Sequence, residues 1–250
     1  MRPNPNRLAP YPSPMDPKLR LHYAPDNASL IVRVALEELA LPYETCLVDR
    51  AADAQNSPAY LAINPAGLIP ALETPDGAIF ETAAILLWLA ETHGRPGFAP
   101  PPGAHERAAF LKWLFYLSNT MHGNLRLNFY PEKYVGADRG AQAALRRHVR
   151  TNLCRGYDLL ERLAREDQGF FAAGQASVID LYVAAMLRWS ALYPLGDTGW
   201  FSLGRWPALR AMAGALETRP SVAALIAAEG MAARPFTSPN YPNPPEGVAL

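Results

Sequence analysis

The chain has 250 residues, half of them hydrophobic, and its 23 Lys and Arg are matched by 23 Asp and Glu. That size and composition describe a globular protein able to bury a large core and to divide into two domains, not a disordered chain. Balanced charge without a Lys/Arg block argues against nucleic acid or a membrane surface as partner, and the longest apolar run, Ala83–Ala90, is far too short to cross a bilayer.

Residues 1–17 form a proline-rich arm, extended or disordered, without the apolar stretch of a secretory signal. Lys18–Tyr23 alternates as a strand, with Leu19, Leu21 and Tyr23 on one side. A turn over Ala24–Ser29 leads into a helix over Leu30–Leu41 that buries Leu30, Val34 and Leu41. Tyr43–Val48 is a second strand, followed by a polar loop and a short helix over Ser57–Ala62. The next stretch, residues 64–82, reads as a loop, a strand, a tight turn, a strand and a helix start. Pro65 and Gly67 break any incoming helix, and Ile69-Pro70 forces an extended residue. Ala71–Glu73 and Ala78–Phe80 flank the turn Pro75-Asp76-Gly77, and Glu81-Thr82 opens an apolar helix reaching His93. An extended main chain and a polar helix start so close together could cradle a small peptide-like anion. On these features alone, an ordinary hairpin and helix cap is the simpler reading.

The order strand-helix-strand-helix-strand-strand-helix is the thioredoxin plan, with a right-handed crossover. The helix breakers of Gly94–Gly103 mark a linker, placed at 95–103 between a domain over 18–94 and one over 104–231. Beyond the linker the pattern is helical: Ala104–Thr120 with an extension towards Asn128, then Arg139–Arg165, Ser177–Leu192, Pro207–Glu217 and Ser221–Glu229. Ser177-Val178-Ile179-Asp180 has the spacing of a capping box. Residues 232–250 are a proline-rich tail, lying extended over the surface or loose. The expected fold is therefore an α/β thioredoxin-like N-terminal domain followed by an all-α C-terminal helical domain.

Motifs spread along this frame resemble the glutathione transferase family over about Lys18–Met231. They are Asn64-Pro65-x-Gly67-x-x-Pro70-Ala71-Leu72, Glu81-Thr82-x-Ala84-Ile85, Ser177-x-x-Asp180-Leu181-Tyr182, and Arg219-Pro220-Ser221-Val222 with Glu229-Gly230. Trp113-Leu114, Met121-His122 and Leu187-Arg188-Trp189 are similar to the bacterial beta class. The resemblance implies glutathione as co-substrate, with no metal, and a small, hydrophobic electrophile as the other partner. It also implies a homodimer. It makes Pro70 a cis-proline and lays the cysteinyl unit against the main chain of Leu68, Ile69 and Pro70, as an added strand. Glu81 and Thr82 would hold the γ-glutamyl end at the helix N-terminus. Ser177 and Asp180 would serve structure only.

The group that activates the thiol is where this chain departs from the family pattern. The thiolate is the nucleophile, so the site must lower the thiol pKa. The beta-class cysteine falls at Ala28, which has nothing to donate, and the serine of other classes falls at Asp26, whose carboxylate would repel a thiolate. Asn27 and Ser29 remain as donors, and Ser29 is either that hydroxyl or simply the helix N-cap. His122 matches a beta-class histidine near the sulfur and is either a thiolate-stabilising imidazole or imidazolium, or a satisfied interface residue. Phe115 and Gly123 replace polar residues of that class, which points to a less polar cleft. Tyr116, Tyr130 and Trp189 read as packing, with Tyr116 also a candidate for the hydrophobic pocket. Cys46 and Cys154 lie far apart with no metal or CxxC spacing, read as core thiols, and favour a reducing, cytoplasmic setting. Two functions are therefore expected in rank order: a glutathione transferase, then a catalytically weak or inactive binding or regulatory relative. A disulfide reductase ranks last, because residues 26–29 lack a cysteine.

Overall fold

A computed structural model of the chain describes residues 19–166, 171 and 175–249. The N-terminal arm expected over residues 1–17 lies outside them. Four strands form one mixed sheet in the order β2-β1-β3-β4: β1 (Leu19–Tyr23), β2 (Tyr43–Leu47), β3 (Ala71–Thr74) and β4 (Gly77–Phe80). β1 and β2 are parallel, with Leu21 opposite Thr45, and are joined across α1 (Ser29–Glu38). β3 is antiparallel to β1 and forms a hairpin with β4, Leu72 facing Ile79. α2 (Pro58–Leu61) precedes the loop into β3, and α3 (Thr82–Thr92) follows β4. The strand-helix-strand start and the terminal hairpin-helix both agree with the order read from the sequence.

α1 is not amphipathic in the way its spacing suggests. Every residue from Ser29 to Leu36 is buried, because the sheet and α3 cover one side while α8 (Val178–Leu192) and α10 (Pro220–Glu229) cover the other. Leu41 lies beyond the end of the helix and is only half-buried. A helix that is apolar all round belongs in the middle of a larger core, and α8 is of the same kind. Its N-terminus carries the expected capping box, with Ser177 N donating to Asp180 Oδ2 at 2.7 Å and Asp180 N to Ser177 Oγ at 3.3 Å.

The second half of the chain is helical. α4 (Arg107–Phe115) runs through a π-helical stretch at Tyr116–His122 into α5 (Gly123–Phe129) without leaving the helical path. The short α6 (Glu132–Val135), which periodicity did not reveal, leads to the long α7 (Arg139–Arg165), and α9 (Pro207–Leu216) precedes α10. α7 matches its predicted span.

The C-terminal tail takes the first of its two expected forms, extended over the surface, and it is also anchored. It is neither loose nor merely draped on the surface. Phe236 is buried in the core, and Glu217 accepts from the main-chain N–H groups of Phe236 and Thr237. Tyr241 donates to Leu192 O at 2.6 Å, and the Glu246 carboxylate accepts from the Tyr23 hydroxyl at the end of β1. Gly230 terminates α10 at φ +63°, and a Cβ there would come within 1.9 Å of Asn243 O. Glycine is required both by the left-handed turn and by the tail main chain that crosses it. Prolines spaced along an extended strap hid this packing from a reading based on periodicity.

Candidate functional site

A cleft of about 240 Å³ opens where the sheet domain faces α5 and α8. One wall is the loop entering β3. The Ile69–Pro70 peptide bond is cis. Leu68 O is held from behind by the Tyr60 hydroxyl and by Asn64 Nδ2, both at 2.6 Å. Those bonds fix the loop and leave the Ile69 main chain facing the cleft, without a hydrogen-bond partner among the described residues. Gly67 makes the loop's tight return at φ +64°.

Beside it stands the start of α3. Glu81 is the N-cap at φ +71°, with no side-chain capping bond, and Thr82 is buried to 7% exposure at the first helical position. Both line the cleft. The first N–H groups of a helix lack internal partners and carry the positive end of its dipole. This corner therefore offers donors and a positive field to a carboxylate, while Glu81 offers an acceptor for an ammonium.

The start of α1 supplies the next wall. Asn27 lines the cleft with its Oδ1 accepting from Ala28 N at 2.7 Å, which turns the amide nitrogen outward. Ala28 also lines it but contributes only a methyl group. Ser29 does not reach the cleft. Its side chain is fully buried, donates to Ala24 O at 2.9 Å and accepts from Ala24 N at 3.3 Å, so it neither caps α1 nor faces a ligand. One residue along the chain separates a side chain in the cleft from one locked into the preceding turn.

Asp26 also differs from expectation. Its carboxylate points away from the cleft, into the helical domain, and is fully buried. It accepts from Arg188 Nε and Nη2, both at 2.8 Å, from Trp189 Nε1 at 3.1 Å and from the Tyr193 hydroxyl at 2.7 Å. Its main-chain N–H donates to Glu229, which in turn accepts from Arg33 Nε at 2.9 Å. A carboxylate compensated in this way does not oppose an anion in the cleft. It anchors the start of α1 to α8 and α10.

The helical domain closes the cleft with His122, at the end of the π-helical stretch, and with Tyr182 and Trp189 from α8. His122 Nδ1 lies 2.8 Å from the Tyr182 hydroxyl, and its ring is 5.4 Å from that of Trp189. Burial first, and then the nearby Arg126 charge, push the His122 imidazole down to about 4. The ring is therefore held neutral near pH 7 in the ligand-free cleft, which favours the imidazole over the imidazolium. Burial raises the Tyr182 hydroxyl far above the ordinary phenol range, so it keeps its proton.

A folded-state value below the unfolded one means that protons favour the unfolded chain. The His122 contribution to stability is present above the unfolded pKa of about 6.5 and is lost as pH falls towards about 4. Replacing His122 with Asn is expected to reduce the loss of stability between roughly pH 7 and pH 5 by about 2 kcal/mol. Urea denaturation of both proteins at the two pH values checks this.

Other residues fall differently from their sequence reading. Tyr130 and Trp189, expected only to pack, line the cleft. Phe115 and Tyr116 do not line it. Phe115 is 48% exposed on the outer surface and so does not make the cleft less polar, while Tyr116 packs edge-on against Trp113. Ser118 and Arg126 line the cleft and were missed, although Arg126 follows His122 at helical spacing and so shares its face. Among the described residues no cluster of His, Cys, Asp and Glu has the makings of a metal site, and no helix is long and apolar enough to cross a membrane.

Comparison with known proteins gives this geometry a family. Residues 28–92 match the family model of the glutathione S-transferase N-terminal domain. The chain is 31% identical, over 72% of its length and 80% of the relative's, to a zeta-class glutathione S-transferase of Euphorbia esula. Among solved structures, a sphingomonad glutathione S-transferase complexed with glutathione is 30% identical, with a TM-score of 0.69 over 85% of this chain and all of the other. A glutathione transferase homologue from Sulfitobacter with bound glutathione is 27% identical, with a TM-score of 0.71 over 83% of this chain and 96% of the other. The thioredoxin-like sheet and the helical domain thus have counterparts in these proteins, and the chain belongs to the glutathione S-transferase family.

Proposed function

We propose that this cleft binds glutathione and activates its thiol for transfer to an electrophile. The observation that carries the reading is the meeting, in one cleft, of the unpaired Ile69 main chain, the polar start of α3 and the start of α1. The tripeptide lies antiparallel to residues 68–70 as a short extra strand. Its γ-glutamyl carboxylate sits at the N-terminus of α3 beside Thr82, and its ammonium faces Glu81. The cysteinyl sulfur then falls between Asn27 and His122.

No single hydroxyl or thiol replaces the usual activating side chain. The thiolate is stabilised by the Asn27 amide, the positive end of the α1 dipole and the imidazole N–H of His122. Tyr182 keeps its proton and donates it to His122 Nδ1. The ring hydrogen then sits on Nε2, where it donates to sulfur. The thiol proton leaves to solvent. Sulfur forms a bond to the electrophilic carbon as a leaving group departs, or as the adduct takes a proton.

The same reading makes the protein a homodimer in a reducing, cytoplasmic setting, with two domains meeting near residues 95–103. Family membership and the free Cys46 and Cys154 support it. A second reading, a relative that binds glutathione without turning it over, is favoured by Ala28 and by the inward-turned Ser29. Calorimetry with glutathione separates the outcomes, together with turnover of a chloronitrobenzene. Binding with turnover supports the enzyme, and binding without turnover supports the second reading. No heat of binding at millimolar glutathione rejects both.

A further inference from the structure

Resting on the glutathione reading above, we infer that Arg126 is a specificity-determining residue that selects electrophiles carrying a carboxylate group. Arg126 lies one helical turn beyond His122 and lines the same cleft from the helical domain. Its guanidinium is held in place by Nε donating to the Tyr134 hydroxyl of α6 at 2.8 Å. The terminal nitrogens are left as a planar fork, the geometry that receives a carboxylate on two parallel hydrogen bonds.

Glu81 is the one carboxylate in the lining among the described residues, and further cations stand beside Tyr130. Tyr130, also in the lining, accepts from Arg50 Nη2 at 3.2 Å and has Lys133 Nζ 4.9 Å from its ring centre. Among the described residues, none of Arg50, Arg126 and Lys133 pairs with a carboxylate side chain. Arg188 and Arg150, by contrast, are matched by Asp26 and Asp197. An unmatched, pre-oriented fork at the mouth of a half-buried cleft attracts an anionic ligand and fixes its orientation. The partly exposed Phe129 shares the lining with that fork and His122, so the favoured electrophile is a conjugated or aromatic body carrying a carboxylate. Of the two residues behind the expected hydrophobic electrophile, Gly123 lines the cleft and Phe115 does not, and Arg126 adds a charge beside the apolar lining.

The test uses 4-chloro-3-nitrobenzoate and its methyl ester as electrophiles, each rate divided by its uncatalysed rate. It also measures by calorimetry the affinity of the two corresponding glutathione conjugates, which needs no turnover. Arg126→Gln is expected to lower the carboxylate-to-ester ratio of kcat/KM, and of conjugate affinity, by about tenfold or more, and Arg126→Lys to recover part of it. A ratio that changes by less than about twofold, with both substrates or conjugates weakened alike, overturns the inference and gives Arg126 a role towards glutathione or the fold. A wild-type protein that binds both conjugates without preferring the carboxylate overturns it as well, while leaving the glutathione reading intact. Failure to bind glutathione or either conjugate removes both.

Discussion

Replacing Arg188 with Met is expected to destabilise the protein by about 3–5 kcal/mol, and replacing Asp26 with Ala by a similar amount. Both side chains are completely buried. Once Arg188 is gone, the Asp26 carboxylate keeps only the Trp189 and Tyr193 donors, and the main-chain carbonyls of Pro235 and Asn240 lose the guanidinium that bridges them. Once Asp26 is gone, a guanidinium is left in the core without its anion. The double variant Asp26→Asn, Arg188→Met leaves neither charge uncompensated and should recover a large part of the loss. Urea denaturation of the three variants measures this, and single variants within about 1 kcal/mol of wild type would show that the pair is not the anchor described. Asn27 directly follows Asp26, so glutathione affinity should fall in the single variants even where they remain folded. The pair ties the start of α1 to α8 and to the C-terminal tail in one connected network.

Thr82→Val should weaken glutathione binding by roughly 10- to 100-fold, the range of a lost hydrogen bond to a charged group. Valine preserves the shape of threonine but removes the hydroxyl at the point where α3 presents its unpaired N–H groups. Among the described residues nothing else takes up that hydroxyl, and Glu81 makes no capping bond of its own, so fold stability should change little. Thr82→Ser should bind nearly as wild type does. Calorimetric titration of the three proteins decides, and a valine variant with unaltered affinity would move the γ-glutamyl end away from α3.

The parts that were legible in the sequence are those governed by local rules. Proline and glycine at residues 65–77 bounded the hairpin, the Ser177–Asp180 spacing predicted a capping box that forms as written, and α7 announced itself by its length. The motifs pointed to residues 68–70, Glu81, Thr82 and His122, and these line one cleft together with Asn27. What could not be read depends on which way a side chain turns. Ser29 and Asn27 are two residues apart at a helix start, where a change of direction decides which one faces a ligand. Asp26 looked hostile to an anion because its partner, Arg188, is distant along the chain and reaches it only through packing. The tail lacks helical or strand periodicity, and its order comes from single anchors such as Phe236 and Tyr241. Arg126 could have been found by noticing that it shares a helix face with His122.

A cleft without the usual hydroxyl or thiol at its activating position is expected still to hold glutathione as a thiolate. Ultraviolet difference spectroscopy of the glutathione-saturated protein, titrated with pH, tests it directly. The expected result is thiolate absorbance at neutral pH, with an apparent pKa well below the value of about 8.5 for a free cysteine thiol, and a return towards that value in Asn27→Ala and His122→Asn. Bound glutathione that titrates as it does in free solution would contradict it.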